Sequence, residues 1–290
     1  MPRITYVNGQ YLPHWDAMVH VEDRGYQLAD GVYEVIAIYN GQLIDNDDHM
    51  ARLERSLSEL RIDWPVNRRA LVPIMEETIR RNHVRHGKLY LQITRGVAPR
   101  DHAFPVLPVS SSLVIYASQI RWPGREKAKS GQSVITRPDI RWLRRDIKSV
   151  SLLPNVLGKQ EAIDAGADDT WFIDGEGNVT EGTASNAWIV SKDGELITRP
   201  TNEDILAGIT RKTLLRLIAN LKLKLVERPF TVDEAKQAKE AFFTSTTALL
   251  RPVVKIDDTV IGNGEPGEIS CRLIDGYYDY MERESGGAGH

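Results

Sequence analysis

Apolar residues recur along the chain in two periods. Met50, Leu53, Leu57 and Leu60 fall at helical spacing, with Asp47 or Asp48 available as the N-cap. The same spacing predicts helices over 67–83, with Pro73 near its start or kinking it, over 155–165 ended by Gly166, over 209–221, and over 269–281. Thr231 and Glu234 stand at capping-box spacing before another short helix. Between these segments lie alternating or wholly apolar runs, joined at Asn8-Gly9, Asn40-Gly41, Asp174-Gly175 and Asp193-Gly194. Such dipeptides accept positive φ at low cost, so each predicts a type I′ hairpin, and antiparallel sheet is expected in both halves. The polar stretch 122–131 carries Pro123 and Gly124 and reads as a linker. The expected organisation is therefore α+β: a smaller α/β domain over 1–121, the linker 122–131, and a larger domain over 132–290, with mixed and antiparallel sheets flanked by helices. The Gly-rich end, 285–290, reads as a disordered tail.

Composition narrows the class. With 37 basic and 40 acidic side chains the net charge is -3, which argues against a nucleic-acid partner. No apolar run is long enough for a bilayer, and the first residues lack the apolar core of a signal peptide. The single cysteine, Cys271, excludes an internal disulfide framework and fits a reducing cytoplasm.

Several common chemical signals fail. Gly175-Glu176-Gly177 begins like a dinucleotide fingerprint, but Thr180 stands where the third glycine belongs, and the setting is a hairpin. His83 and His86 lack an acidic ligand in frame, so no metal site is expected. Two segments suit a phosphate. Leu206-Ala207-Gly208-Ile209-Thr210 opens a helix, where free amides and the helix dipole favour an anion. Phe243 to Ala248 offers Thr244, Ser245, Thr246 and Thr247 in a row after a strand-like run. A plain helix cap and an exposed polar turn explain each equally well when taken alone. Lys148 stands in a β-like run over 146–153, and Glu181 ends a hairpin strand beside Thr183 and Ser185. A lysine amine and a carboxylate are what an aldehyde cofactor with a pyridine nitrogen needs: one forms a Schiff base, the other holds the ring nitrogen protonated.

The ordered set Asp-Arg-Gly-Tyr (23–26), Asp-Gly-Val-Tyr-Glu (30–34), Asp-Ile-Lys-Ser (146–149), Thr-Glu-Gly-Thr (180–183), Gly-Ile-Thr-Arg (208–211) and Thr-Ser-Thr-Thr (244–247) resembles the class IV, fold-type IV pyridoxal-phosphate aminotransferases. Within them it is most similar to the group acting on D-amino acids, over about residues 7–280. The resemblance implies pyridoxal 5′-phosphate held where two domains meet, with Lys148 as its Schiff-base lysine and Glu181 facing the ring nitrogen. It implies Arg52, Ile209, Thr210, Ser245 and Thr246 around the phosphate, and Leu206 packed on the ring. It also implies a homodimer.

The loop 94–105 sets the subclass. In the D-specific group a Pro-Arg-x-His element, here Pro99-Arg100-Asp101-His102, grips the substrate α-carboxylate together with a tyrosine matching Tyr33. Arg100 offers a planar fork for that group, and fixing the carboxylate chooses which enantiomer presents its Cα hydrogen to Lys148. Asp101 beside this grip either weakens anion binding or orients Arg100. The implied activity is transfer of an amino group from a D-amino acid, D-alanine in type, to a 2-oxo acid such as 2-oxoglutarate. Branched-chain L-amino acid aminotransferases and (R)-amine transaminases share the lysine, glutamate and phosphate motifs and are the nearest alternatives. A non-catalytic binder of the same cofactor is the alternative of a different class.

Overall fold

The structure, a computed structural model, describes residues 3–286. Its contacts divide the chain into two units, one of residues 3–122, 147–151 and 282–286, the other of 123–146 and 152–281. A split at the 122–131 stretch alone leaves 147–151 in the second unit, whereas the contacts group them with the first. Of the Gly-rich end, Ser285 is buried and its hydroxyl accepts the Asn40 amide at 3.2 Å, while 287–290 lie outside the described residues.

The first unit is built on a six-stranded sheet. Its strands are Ile4–Val7 (β1), Gln10–Pro13 (β2), Gly31–Tyr39 (β3), Gln42–Leu43 (β4), Gly87–Thr94 (β5) and Ser112–Gln119 (β6), in spatial order β2-β1-β6-β5-β3-β4, all antiparallel. A short helix, Arg24–Leu28 (α1), precedes β3, capped by Asp23. Alternation along β3 sends Val32, Glu34, Ile36 and Ile38 to one face. That face is covered by Asn46–Leu60 (α2) and Arg68–Arg81 (α3), whose Met50, Leu53, Leu57, Leu71, Met75 and Ile79 complete the core. The Asn67 side chain caps α3 by accepting from the Arg69 amide at 2.9 Å, and Pro73 lies inside that helix. Neither Asp47 nor Asp48 caps α2. The N-cap is Asp45, whose side chain makes no capping bond, and the other two aspartates occupy the first turn, where the helix dipole favours negative charge.

The second unit carries a nine-stranded mixed sheet: Gln132–Pro138 (β7), Asp169–Ile173 (β8), Val179–Gly182 (β9), Asn186–Val190 (β10), Leu196–Thr198 (β11), Leu225–Glu227 (β12), Glu240–Ser245 (β13), Leu249–Ile256 (β14) and Thr259–Val260 (β15). The order is β12-β11-β10-β13-β14-β7-β8-β9, with β15 on β14. β7 runs parallel to both neighbours and β11 runs parallel to β12, so the sheet is mixed, in line with the α+β reading. The unit's helices are Arg125–Ala128 (α4), Leu153–Asp164 (α5), Ile209–Asn220 (α6), Val232–Lys236 (α7) and Glu268–Glu284 (α8), the last running on into the first unit's residues. Helix α5 begins earlier than the Asn155 expected, with Pro154 in its first turn, where its missing N–H is no loss.

Two of the four hairpin signals form as expected. Asn8-Gly9 and Asn40-Gly41 both take positive φ at each residue. Asp174-Gly175 does not. Asp174 Oδ1 accepts the amides of Glu176 and Asn178 at 3.0 and 2.9 Å, so the turn is wider and Gly177 takes the positive φ. At Asp193-Gly194 only the glycine is left-handed. Among the described residues no helix is long and apolar enough to cross a membrane.

Glu240 ties α8 to the second sheet. Its carboxylate accepts the Ile269 and Ser270 amides at 3.0 and 2.9 Å and the Ser270 hydroxyl at 2.9 Å. Gly267 is required beside it, because a Cβ there would fall 1.9 Å from the Glu240 carboxyl carbon. Glu240→Ala leaves these donors buried, and we expect urea unfolding to show a loss of about 1–3 kcal/mol. A change below about 0.5 kcal/mol, the range of ordinary surface substitutions, would mean that water replaces the carboxylate.

Candidate active site

In the second unit the site is assembled around a buried carboxylate. Glu181 is the penultimate residue of β9, at the sheet edge, and is 5% exposed. Its Oε1 accepts from Arg141 Nη1 at 2.5 Å, and its Oε2 accepts from Asn186 Nδ2 at 3.0 Å and from the Leu206 amide at 3.1 Å. Burial pushes the Glu181 carboxyl up, and the Arg141 charge with the Leu206 amide offsets only part of that rise. Arg141 is itself fixed. Its Nε and Nη2 bond to Asp139 at 3.0 and 2.8 Å, and its guanidinium lies 4.9 Å from the Phe172 ring centroid.

The turn after Glu181 is clamped from below. Asp169 accepts the Thr183 hydroxyl at 2.5 Å and the Ser185 hydroxyl at 2.8 Å, and Asn155 donates to the Thr183 carbonyl at 2.8 Å. This turn delivers Asn186 to Glu181. The same Asn186 amide also donates to the Leu206 carbonyl at 3.0 Å, and a Cβ on residue 208 would fall 2.0 Å from its Oδ1. Asn186 therefore links the carboxylate to the segment 206–208, and only glycine fits at 208. Helix α6 then begins with no side-chain cap at Gly208, although Ile209 and Thr210 are buried. A buried helix N-terminus without a capping side chain favours negative charge beside it. Helix α6 packs on β13, which ends at Ser245. Ser245, at the strand's end, and Thr246, in the following turn, are half-buried, and Ser245 Oγ accepts the Ala248 amide at 3.1 Å. Thr244 points the other way, accepting Trp188 Nε1 at 3.0 Å in the core.

In the first unit, residues 147–151 strap onto the part of β3 that β4 leaves unpaired. The Tyr33 amide donates to the Lys148 carbonyl at 3.0 Å and the Val150 amide to the Gly31 carbonyl at 3.1 Å. The expected β-run is reduced to one bridge, Val32 to Ser149. The strap leaves half-buried Lys148 with its Nζ 4.3 Å from the Tyr33 ring centroid. Tyr33 stacks in turn on Tyr90, and Tyr90 on Tyr116, at 5.7 and 5.0 Å.

On the opposite face of β3, Arg52 grips Glu34 in a bidentate pair at 2.8 and 2.7 Å, and His49 Nδ1 meets Glu34 Oε2 at 2.7 Å. Burial alone would push the Glu34 carboxyl up. The Arg52 charge and hydrogen bonds, with His49, outweigh it and hold the carboxyl at about 2.

Arg100 and His102 are exposed, and among the described residues no hydrogen bond or ion pair joins them to Tyr33. Their loop is nonetheless anchored. Buried Arg24 donates to the Asp101 carbonyl at 2.7 Å, and the Arg95 guanidinium covers Phe104 at 3.8 Å. The Asp101 side chain turns back onto the Ala103 amide at 3.2 Å, which shapes the loop itself.

Sequence reasoning missed Arg141, Asn186, Asp169 and the Glu34–His49 pair. Glu34 left a signal: a carboxylate in the inward register of an otherwise apolar strand. Arg141 left none, being one arginine in a basic stretch.

The chain belongs to the class IV aminotransferase family, whose sequence profile, described as amino-transferase class IV, matches residues 31–256. It is 39% identical over 281 residues to a D-alanine aminotransferase of Staphylococcus haemolyticus, covering 97% of this chain and 99% of that one. It is 44% identical over 263 residues to a D-alanine aminotransferase of Bacillus licheniformis, covering 91% and 92%. The crystal structure of the branched-chain amino acid aminotransferase from Thermobaculum terrenum in its PLP form is similar at TM-score 0.84 and 27% identity, covering 99% of this chain and 95% of that one.

Two outcomes follow from this geometry. Glu34's folded value lies below the ~4.3 of an unfolded glutamate. Its stabilisation is therefore complete above that unfolded value and is lost as pH falls toward about 2. Unfolding free energy measured against pH should drop across this acid window, and Glu34→Gln should flatten the drop; equal slopes in both proteins would exclude Glu34 as its source. Separately, Gly208→Ala should displace Asn186 and weaken binding of a phosphate ester by about tenfold or more, read by equilibrium dialysis.

Proposed function

We propose that the protein is a pyridoxal-phosphate-dependent transaminase that moves the amino group of a D-amino acid, D-alanine in type, to a 2-oxo acid such as 2-oxoglutarate. The observation that carries the reading is the Asn186 bridge, which couples a buried carboxylate to a buried, uncapped helix N-terminus in one unit. That donor set fits a pyridine ring bearing a phosphate ester. It has an acceptor for a ring N–H at one end, and amides with hydroxyls for a dianion at the other. The D-alanine aminotransferases at 39% and 44% identity support the substrate class more strongly than does the branched-chain enzyme at 27%.

In this reading Ile209, Thr210, Ser245, Thr246 and Arg52 hold the phosphate, Leu206 packs on the ring, and Glu181 keeps the ring nitrogen protonated. Pyridoxal phosphate, when bound, supplies an aldehyde that amines can join and a ring that accepts electrons from a carbon losing its proton. Lys148 offers the amine that joins the aldehyde, and once free it moves the proton at the substrate's Cα. Tyr33, Arg100 and His102 hold the α-carboxylate and so select the enantiomer. Glu34 keeps the Arg52 guanidinium in place, a positioning role that the bidentate geometry supports.

A homodimer completes the proposal, with the loop carrying Arg100 and His102 serving the neighbouring subunit's site. Exposed Trp15, Met18, Val21, Tyr26, Val106 and Leu107, each at least 69% exposed, are the apolar surface such an assembly would cover. A reducing cytoplasm suits a chain with one cysteine.

The test is a set of amino donors with 2-oxoglutarate: D-alanine, L-leucine and (R)-phenylethylamine. D-alanine should be preferred, and preference for L-leucine would replace the D-specific reading with the branched-chain one. Lys148→Ala should abolish borohydride-fixed attachment of the cofactor. Arg100→Ala should lower kcat/KM for D-alanine by about ten- to a hundredfold, as expected for one hydrogen bond to a charged group. Cofactor that stays in its aldehyde form when D-alanine alone is added would indicate a binding protein.

A further inference from the structure

We propose that Arg141 is a positioning residue that keeps Glu181 ionised, and thereby keeps the proton on the ring nitrogen of the bound cofactor. The inference rests on the reading that Glu181 faces that nitrogen, and it adds a residue that no sequence motif marks.

A carboxylate against a pyridine nitrogen shares one proton in either of two arrangements: carboxylate with pyridinium, or carboxylic acid with neutral pyridine. Only the first leaves the ring positively charged and fit to accept electrons. In water the ionic form is well solvated. At a carboxylate that is 5% exposed it is not, and burial favours the neutral pair. A third, fixed cation tips the balance back, because it stabilises the carboxylate and leaves the acid unaffected.

Arg141 meets each requirement. It contacts Glu181 Oε1 at 2.5 Å, leaving Oε2 to Asn186 and Leu206. An arginine does not lose its proton at any pH the protein survives. Its other nitrogens are committed to Asp139, which also accepts the Thr180 hydroxyl at 2.8 Å and pairs with Arg145 at 3.1 Å. The guanidinium therefore cannot swing away. Arg141 and Asp139 are the charged groups acting on Glu181, and Asp139 opposes ionisation. Arg145 offsets that opposition by pairing with the Asp139 Oδ2 that Arg141 also meets, while its Nη1 lies 3.6 Å from Asp204. The Arg141–Asp139–Arg145 row thus presents a net positive charge to the carboxylate.

The experiment reads the proton itself. The protein is reconstituted with pyridoxal phosphate labelled with 15N in the ring, and the resonance reports pyridinium or pyridine. The unmodified protein should show pyridinium, unchanged from about pH 6 to about pH 9, because no group in the row loses its charge there. Arg141→Met should shift the resonance to the pyridine position, and Arg141→Lys should restore it. Should Arg141→Met fail to fold because Asp139 is orphaned, the double variant D139N/R141M removes both partners and should show the same shift. Pyridinium retained in D139N/R141M or in Arg141→Met, while Glu181→Gln loses it, would make Arg141 a structural residue only. A resonance that titrates between about pH 6 and about pH 9 in the unmodified protein would overturn the proposal as well. Pyridinium retained in Glu181→Gln would instead refute the placement of Glu181 at the ring nitrogen. The two failures are therefore distinct.

Discussion

A carboxylate taken out of water must be paired, and each unit of this protein is organised around one that is. In the first unit it is Glu34, inside an apolar strand face, held by Arg52 and His49. In the second it is Glu181, held by Arg141, Asn186 and a backbone amide. An isolated buried carboxylate would give up its charge. Supplying a partner fixes more than the charge, since a bidentate guanidinium allows only one relative placement of two side chains. The pairing that burial demands is therefore also what makes the site rigid.

The two carboxylates differ in outcome. For Glu34 the opposing cation wins, and the group stays ionised far into acid. For Glu181 burial wins in part, so its carboxyl lies above the ordinary value despite Arg141. The first arrangement suits a carboxylate whose task is to hold an arginine. The second suits one that must share a proton with a ligand, where an acceptor with too little proton affinity would bind the N–H weakly.

Much of the fold was legible because helices and hairpins are local. Met50, Leu53 and Leu57 do line the core, Thr231 does cap Glu234, and Asn-Gly makes tight turns where Asn and Gly both accept positive φ. The capping of α2 and the wide turn at Asp174 were not legible. Each depends on which of several nearby groups the backbone actually reaches; at Asp174 side-chain bonds worth about 1 kcal/mol each decide it, whereas α2 starts at Asp45 with no side-chain cap. Arg141 and Asp169 were invisible for a different reason. Both serve residues 40 and 14 positions away, and no local pattern records such a pairing.

The sequence by itself determined the inventory: the α+β alternation, a lysine, a carboxylate, a glycine before a helix, hydroxyls after a strand, and the family to which their order belongs. Those properties are set by neighbours along the chain or by the order of motifs. Only the tertiary structure decided how the inventory is wired. It laid residues 147–151 along the free edge of β3, brought the Asn186 amide to both Glu181 and Leu206, and set Arg141 against a buried charge. These choices are energetic balances between desolvation and pairing, and such balances exist only once the chain has closed around them.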